Sequence, residues 1–229
     1  MFKNKILLIA AHPDDDILGC GGTIKKYTDI GADFRVIYIA EGSSSRFLQN
    51  ESSSLVEKAI NLRNREAEYA LNVLGVSNCF FYNLPCGKLD QVSLLSIGQI
   101  IEKEISSFKP ETVITNSGKD LNNDHRIVFQ AALQAARPGV NNNVRHLLSF
   151  EVLSSSEWKF DSTFQPNYFE NITDQLNFKI KAINKFTTEL KPFPVPRSEE
   201  GIKALAMYRG LQSAFRYAES FEIIRSFSN

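Results

Sequence analysis

The sequence is poor in the residues that would place it in several common classes. Its three cysteines, Cys20, Cys79 and Cys86, are odd in number, scattered and free of Cys-x-x-Cys spacing. That excludes a disulfide scaffold and a structural zinc knot, and it fits reduced thiols in a cytoplasmic protein. Neither sign of charge is in excess. The 26 Lys+Arg balance 26 Asp+Glu, so no global field draws nucleic acid or an anionic membrane, and no dense basic run supplies a local one. Long apolar runs are missing as well. Met1-Phe2-Lys3-Asn4-Lys5 leads into only five apolar residues, too few for a signal peptide and far too few for a membrane span. The expectation is a cytoplasmic protein that inserts into no membrane. With 12 Gly and 8 Pro, there is also no repeat and no low-complexity tract.

What is present describes an ordinary globular chain. Hydrophobic residues make up 43% of 229 positions, enough for a substantial core in one domain. Residues 1–153 alternate short apolar runs with helix-like segments, which predicts βαβ units: an α/β, Rossmann-like, mostly parallel sheet flanked by helices. Strands are expected over 6–10, 34–40, 79–84, 112–115 and 146–152, and helices over 17–29, 55–74, 94–108 and 126–136. Gly75 and Lys109-Pro110 stop two of the helices. Residues 41–54 form a long Ser- and Gly-rich connection, expected to be a mobile rim of the pocket. Residues 154–229 read as an extension of the same domain, with polar loops and one helical segment over 199–215. Its polar and aromatic character points to subunit contacts in a homo-oligomer.

Histidine is scarce, with His12, His125 and His146 the whole set. His12 opens the run His12-Pro13-Asp14-Asp15-Asp16 directly after the first apolar run. The carboxyl ends of strands are where open α/β sheets place ligands. Three adjacent acids repel one another, so a divalent cation among them is the simplest expectation. His125 follows another strand and lies beside Asp120 and Asp124. Catalytic zinc takes three protein ligands from His and carboxylate and keeps a position open for water. His12 and Asp15 can supply two ligands from one tight turn, His125 a third, and Asp14 can then face the open position. In such a site zinc lowers the pKa of water from about 15.7 to about 7. A neighbouring carboxylate accepts the proton during attack on a carbonyl carbon. The chemistry is metal-assisted amide hydrolysis.

Ala11-His12-Pro13-Asp14-Asp15 followed by the glycines of 19–23, with Asp124-His125-Arg126 opening a later helix, resembles the zinc-dependent deacetylases related to the LmbE and PIG-L proteins. Arg63-Asn64-Arg65-Glu66-Ala67, Leu74-Gly75 and Tyr217-Ala218-Glu219-Ser220-Phe221 extend the resemblance over most of the chain. It implies Zn2+, or another divalent metal, on His12, Asp15 and His125, Asp14 as general base, and Arg63 as a contact to substrate. It also implies a small-molecule substrate, an N-acetylated sugar conjugate of the N-acetylglucosamine type. The chain departs from many such proteins in having Asn122 where they carry histidine. Asparagine can donate a hydrogen bond to an oxyanion but cannot donate a proton as an acid, which leaves Asp14 to serve as both base and acid. Asp-x-Asn-x-Asp-His-Arg also resembles a variant in relatives tied to bacterial surface-glycan synthesis. Asp124 is expected to orient His125 through its other ring nitrogen.

The remaining candidates take blander roles. Asp16 is expected to cap the first helix at its positive end. Gly19, Gly21 and Gly22 lack the full phosphate-loop pattern and point to close helix packing. His146 is expected to be structural, Trp158, Phe160 and Phe164 to belong to the core, and Arg197, Arg209 and Arg216 to serve packing or subunit contacts. None of the cysteines has a base spaced to activate it. Two alternatives share the same residues: an esterase or amidase acting on a non-sugar substrate, and a non-catalytic protein that binds metal and ligand.

Overall fold

In the computed structural model, which describes residues 4–48, 51–139 and 143–228, the chain builds its sheet outward from its most apolar segment. That strand, β1 (Lys5–Ala10), has every residue after Lys5 fully buried. Alternate side chains enter two different cores, Ile6, Leu8 and Ala10 on one face and Leu7 and Ile9 on the other. A strand buried on both faces needs helices above and below it. They follow in order: α1 (Asp15–Thr28), β2 (Asp33–Ala40), α2 (Ser53–Val73), β3 (Cys79–Leu84), α3 (Leu94–Phe108), β4 (Thr112–Asn116), α4 (Asn123–Ala135) and β5 (His146–Phe150). The α1 and α2 helices pack their apolar stripes into the first core, while α3 and α4 pack theirs into the second.

The 154–229 segment does more than extend this unit. It contributes β6 (Tyr168–Asn171), α5 (Leu176–Ile183), α6 (Glu199–Ser213) and β7 (Ala218–Ser226). The seven strands lie in the order β3-β2-β1-β4-β5-β7-β6. Strands β1 to β5 run parallel, and β7 inserts antiparallel between β5 and β6. The two added strands were not expected from the sequence. β6 has only four residues, and β7 carries the buried charges Glu219 and Glu222, which blur its apolar pattern. The fifth strand also ends at Phe150, two residues earlier than expected.

From β1 the chain winds outward to β2 and β3, then crosses back to place β4 on the other flank of β1. The carboxyl ends of β1 and β4 therefore form the switch point where open sheets bind ligands. Glycines let α1 lie close against this region. A Cβ on Gly19 would collide with the Phe150 ring, and one on Gly22 would come within 2.8 Å of Ile172. His146 is structural, with Nδ1 placed 2.9 Å from Ser226 Oγ on β7. Of the aromatics assigned to the core, Phe164 is buried. Trp158 and Phe160 are exposed, meeting edge to face at 6.4 Å. Arg209 holds Glu151 through two nitrogens at 2.7 and 2.6 Å. In the 41–54 connection, a short helical turn forms at Ser44–Arg46, and residues 49 and 50 lie outside the described residues. Among the described residues no helix is long and apolar enough to cross a membrane.

Candidate active site

The turn after β1 is tied to β4 by Asn116. Its Oδ1 accepts the Ala11 N–H at 2.8 Å, and its Nδ2 donates to Asp15 Oδ2 at 3.2 Å. The His12 N–H also donates to Asp15 Oδ2, at 2.9 Å. This tight turn forces Asp14 to a φ of 113°, a region that non-glycine residues avoid at a cost of about 1–3 kcal/mol. Asp14 is the residue before α1, and Asp15 and Asp16 occupy that helix's first turn, where its dipole favours negative charge. All three carboxylates are fully buried.

The structure brings His12, Asp15 and His125 together, with one donor atom from each inside a 4.8 Å span. Asp15 Oδ2 lies 3.6 Å from His12 Nδ1 and 3.3 Å from His125 Nε2. The far nitrogen of each ring meets an aspartate: His12 Nε2 is 3.0 Å from Asp124 Oδ2, and His125 Nδ1 is 3.2 Å from Asp120 Oδ2. This corrects one expectation. Asp124 orients His12 and not His125, and Asp120 takes the partnership that adjacency in sequence suggested for Asp124. Each aspartate is itself fixed, Asp124 by the N–H groups of Gly87 and Leu89, Asp120 by the hydroxyls of Ser155 and Ser156.

A cation fits this donor set. Asp15 Oδ1 and His125 Nε2 are buried without a hydrogen bond among the described residues, and buried polar atoms rarely stay that way. The electrostatics agree. Burial opposes charge on His125, yet the Asp15 and Asp120 carboxylates outweigh it and raise the ring to about 9. His12 is likewise held above its ordinary value, because Asp124 and Asp15 overcome burial. Burial also opposes charge on Asp15, yet the two histidines hold it well below the usual carboxylate range. The pocket thus attracts positive charge, which a divalent ion supplies in place of protons.

The other side of the turn is gripped by arginines. Asp14 Oδ1 lies 3.0 Å from Arg63 Nη2, and Asp14 Oδ2 lies 2.8 Å from Arg197 Nη1. Arg63 also donates through Nε to the Pro13 carbonyl at 3.0 Å. Gly42 makes room for it, since a Cβ there would sit 2.7 Å from that Nε. Glu189 then binds three guanidiniums, with Arg46 at 2.6 and 2.8 Å, Arg63 at 2.5 Å and Arg197 at 3.1 Å. Burial works against the charge on Glu189, but the arginines bring its pKa down to about 2. Asp14 moves the other way, raised by burial that Arg197 and Arg63 only partly offset.

Several sequence-derived roles change here. Arg63 is buried and engaged with Asp14, Pro13 and Glu189. Arg197 reaches Asp14 instead of serving only packing. Asp16 stands in the first turn of α1, the expected place for an acid at the helix's positive end; its Oδ2 also accepts the Tyr38 hydroxyl at 2.9 Å, and burial raises its pKa to about 7. Asn122 is the residue before α4, where its Oδ1 accepts the Asp124 N–H at 3.0 Å. Glu189 and Arg46 have no local sign of a role in the sequence. Asp120 stands near His125 in the sequence, and the structure makes it that ring's partner.

The profile of the PIG-L family, described as GlcNAc-PI de-N-acetylase, matches residues 7–136. The diacetylchitobiose deacetylase of Thermococcus kodakarensis is 27% identical over 229 residues, covering 96% of this chain and 83% of that protein. Among solved structures, the N,N'-diacetylchitobiose deacetylase from Pyrococcus horikoshii aligns with a TM-score of 0.75 at 24% identity, covering 96% of this chain and 84% of that one. The 4-carboxy-2-hydroxymuconate hydratase from Pseudomonas putida aligns with a TM-score of 0.79 at 22% identity, covering 99% of both chains. At such identities the two structures speak for the fold alone, and the hydratase shows that this scaffold is not tied to one reaction. The family match is the stronger result because it spans more than half of the chain and takes in both histidine motifs: the chain belongs to the PIG-L family.

Proposed function

We propose that this protein is a zinc-dependent N-deacetylase that hydrolyses the acetamido group of an N-acetylated amino-sugar conjugate, releasing a free amine and acetate. One observation carries the reading: buried His125 Nε2 and Asp15 Oδ1 make no hydrogen bond among the described residues, and Asp14 directly precedes Asp15 in the chain. His12, Asp15 and His125 would hold the metal, a mixed nitrogen and oxygen set suited to zinc. Zinc bound there supplies Lewis acidity and brings the pKa of water from about 15.7 to about 7.

The rest falls to the chain. Asp14 accepts the proton of the attacking water at Oδ2 and delivers it to the leaving amine nitrogen. Burial, which raises its pKa, helps it keep that proton between the two transfers. Arg63 stays on Oδ1 and fixes the plane of the carboxyl group. Arg197, whose side chain is 20% exposed, leaves Oδ2 when water approaches. A cavity of about 190 Å³ whose lining sets Phe47, Ala59 and Leu62 beside Arg46 and Arg63 is the space for the group attached to the sugar. The names of the two diacetylchitobiose deacetylases support an N-acetylated sugar as the substrate class.

The test is a panel of N-acetylated sugar conjugates and O-acetyl esters, incubated with zinc-loaded protein. Amine and acetate should appear in equal amounts from the sugar amides. Acetate released from the esters alone would replace the reading with an esterase.

A further inference from the structure

The three cysteines have no part in the mechanism above, yet one of them sits against it. Cys86 lies on the turn after β3, and its Sγ, an Asp124 carboxylate oxygen and a His12 ring nitrogen fall within 4.8 Å of one another. All three residues are buried. We propose that Cys86, Asp124 and the Nε2 side of His12 form a second site for a thiophilic divalent cation, one that inhibits the enzyme when filled.

The argument begins with the two faces of one ring. His12 Nδ1 points toward Asp15 at 3.6 Å, and Nε2 points toward Asp124 at 3.0 Å. The nitrogen nearest Asp15 is thus not the one nearest Asp124, so the two donor groups can share the residue and use different nitrogens. The second group is built and not accidental. Cys86 N–H donates to Glu41 Oε1 at 2.8 Å, and Gly87 N–H donates to Asp124 Oδ2 at 2.6 Å. The same turn that carries the thiol thus holds the carboxylate. Ser45 Oγ, 3.3 Å from Sγ, closes the remaining side. Cys86 keeps 8% of its surface exposed, which gives a cation a way in.

The donor chemistry selects the ion. One sulfur, one imidazole nitrogen and one carboxylate oxygen suit zinc or cadmium, whereas magnesium and calcium prefer oxygen alone. Binding sends the thiol proton and the Nε2 proton of His12 to solvent. It also takes Asp124 away from the ring it orients, and loss of such a partner weakens the metal on the other nitrogen. Excess zinc should therefore inhibit an enzyme that zinc activates. This consequence rests on the reading of His12 as a ligand of the catalytic metal, but occupancy of the second site does not.

Cadmium tests occupancy directly, through the ultraviolet charge-transfer absorption of a thiolate–cadmium bond. Metal-free protein should take up two equivalents and show the band. Cys86→Ser should take up one equivalent and lose the band, and His125→Ala should keep the band while losing the other equivalent. A band that survives Cys86→Ser, or the absence of a band in the wild type, overturns the site. With zinc-loaded protein and an N-acetylated sugar, Cys86→Ser should raise the half-inhibitory concentration of added zinc at least about tenfold. Equal sensitivity in both proteins overturns the inhibitory role. If no sugar is turned over at all, the cadmium result stands, and only the proposed function falls.

Discussion

The His12–Asp16 turn is held from two sides that differ in kind. On one side, His12, Asp15 and His125 gather at the ends of two adjacent strands and leave buried polar atoms without hydrogen bonds among the described residues. On the other, Asp14 has each of its oxygens against a guanidinium, and Glu189 ties those arginines together. The first side gathers two histidines and carboxylates, a donor set that a cation would bridge. The second balances carboxylates against guanidiniums within the chain. A buried carboxylate between two arginines is a positioned group, and buried donors without hydrogen bonds among the described residues invite a ligand. Asp14 joins the two, which is the arrangement a proton-transferring base needs.

The contrast is broken most severely at the metal side. His125→Ala should lose the catalytic metal and drop amine release to background, and it should also cost stability, since it strips a partner from the buried Asp15 and Asp120 carboxylates. Metal analysis of the purified variant checks the first point and turnover the second. Retained metal at full occupancy would remove His125 from the ligand set. Asp14→Asn comes next. It keeps shape and metal but cannot take a proton, so kcat should fall by about 10²–10⁴-fold. Near-normal turnover in that variant, with zinc bound, would move the base elsewhere.

How much of this was readable beforehand follows the same division. The metal side was legible because its residues stand in two short motifs, each placed directly after an apolar strand run. Partnership inside the second motif was misread for a geometric reason. Neighbouring residues on a helix point in different directions, so Asp124 turns to His12 while Asp120, from the loop before α4, reaches His125. Asp16 keeps its expected place at the start of α1, but its partner Tyr38, 22 positions on, has no local sign in the sequence. The arginine side was illegible because Arg197 and Asp14 are 183 positions apart. No periodicity links them. The strands that shape the C-terminal part are short or carry buried glutamates, so alternation did not mark them either.

Glu189→Gln sharpens the comparison on the arginine side. Its three guanidiniums lose their shared charge, and Asp14 loses fixed placement. A fall in kcat of about tenfold to 10²-fold with little change in KM is expected, the size of effect that follows small misplacement. The same variant has a signature in acid. Glu189 has a folded pKa of about 2, below its ordinary 4.5, so the native state binds fewer protons than the unfolded one. Its contribution to stability is present above about 4.5 and is lost as pH falls toward about 2. Denaturant unfolding across that interval should show a shallower pH dependence in Glu189→Gln than in the wild type. Parallel curves would mean that the arginines hold Glu189 without stabilising the fold.

The smallest effect is expected at Asn122, where the two sides compete for one residue. Its Oδ1 caps α4 by accepting the Asp124 N–H at 3.0 Å, whereas the sequence suggested an amide N–H directed at an oxyanion. Asn122→Ala removes both functions. As a cap it should cost about 1 kcal/mol, which lowers Tm by about 2–4 °C in a chain of this size. Asn122→Asp separates the two roles, because aspartate caps as well as asparagine does but has no N–H to donate. If capping is the whole role, Asn122→Asp recovers both Tm and kcat. If it recovers Tm while kcat stays low, the amide N–H acts on the substrate, and Asn122 belongs with the metal side after all.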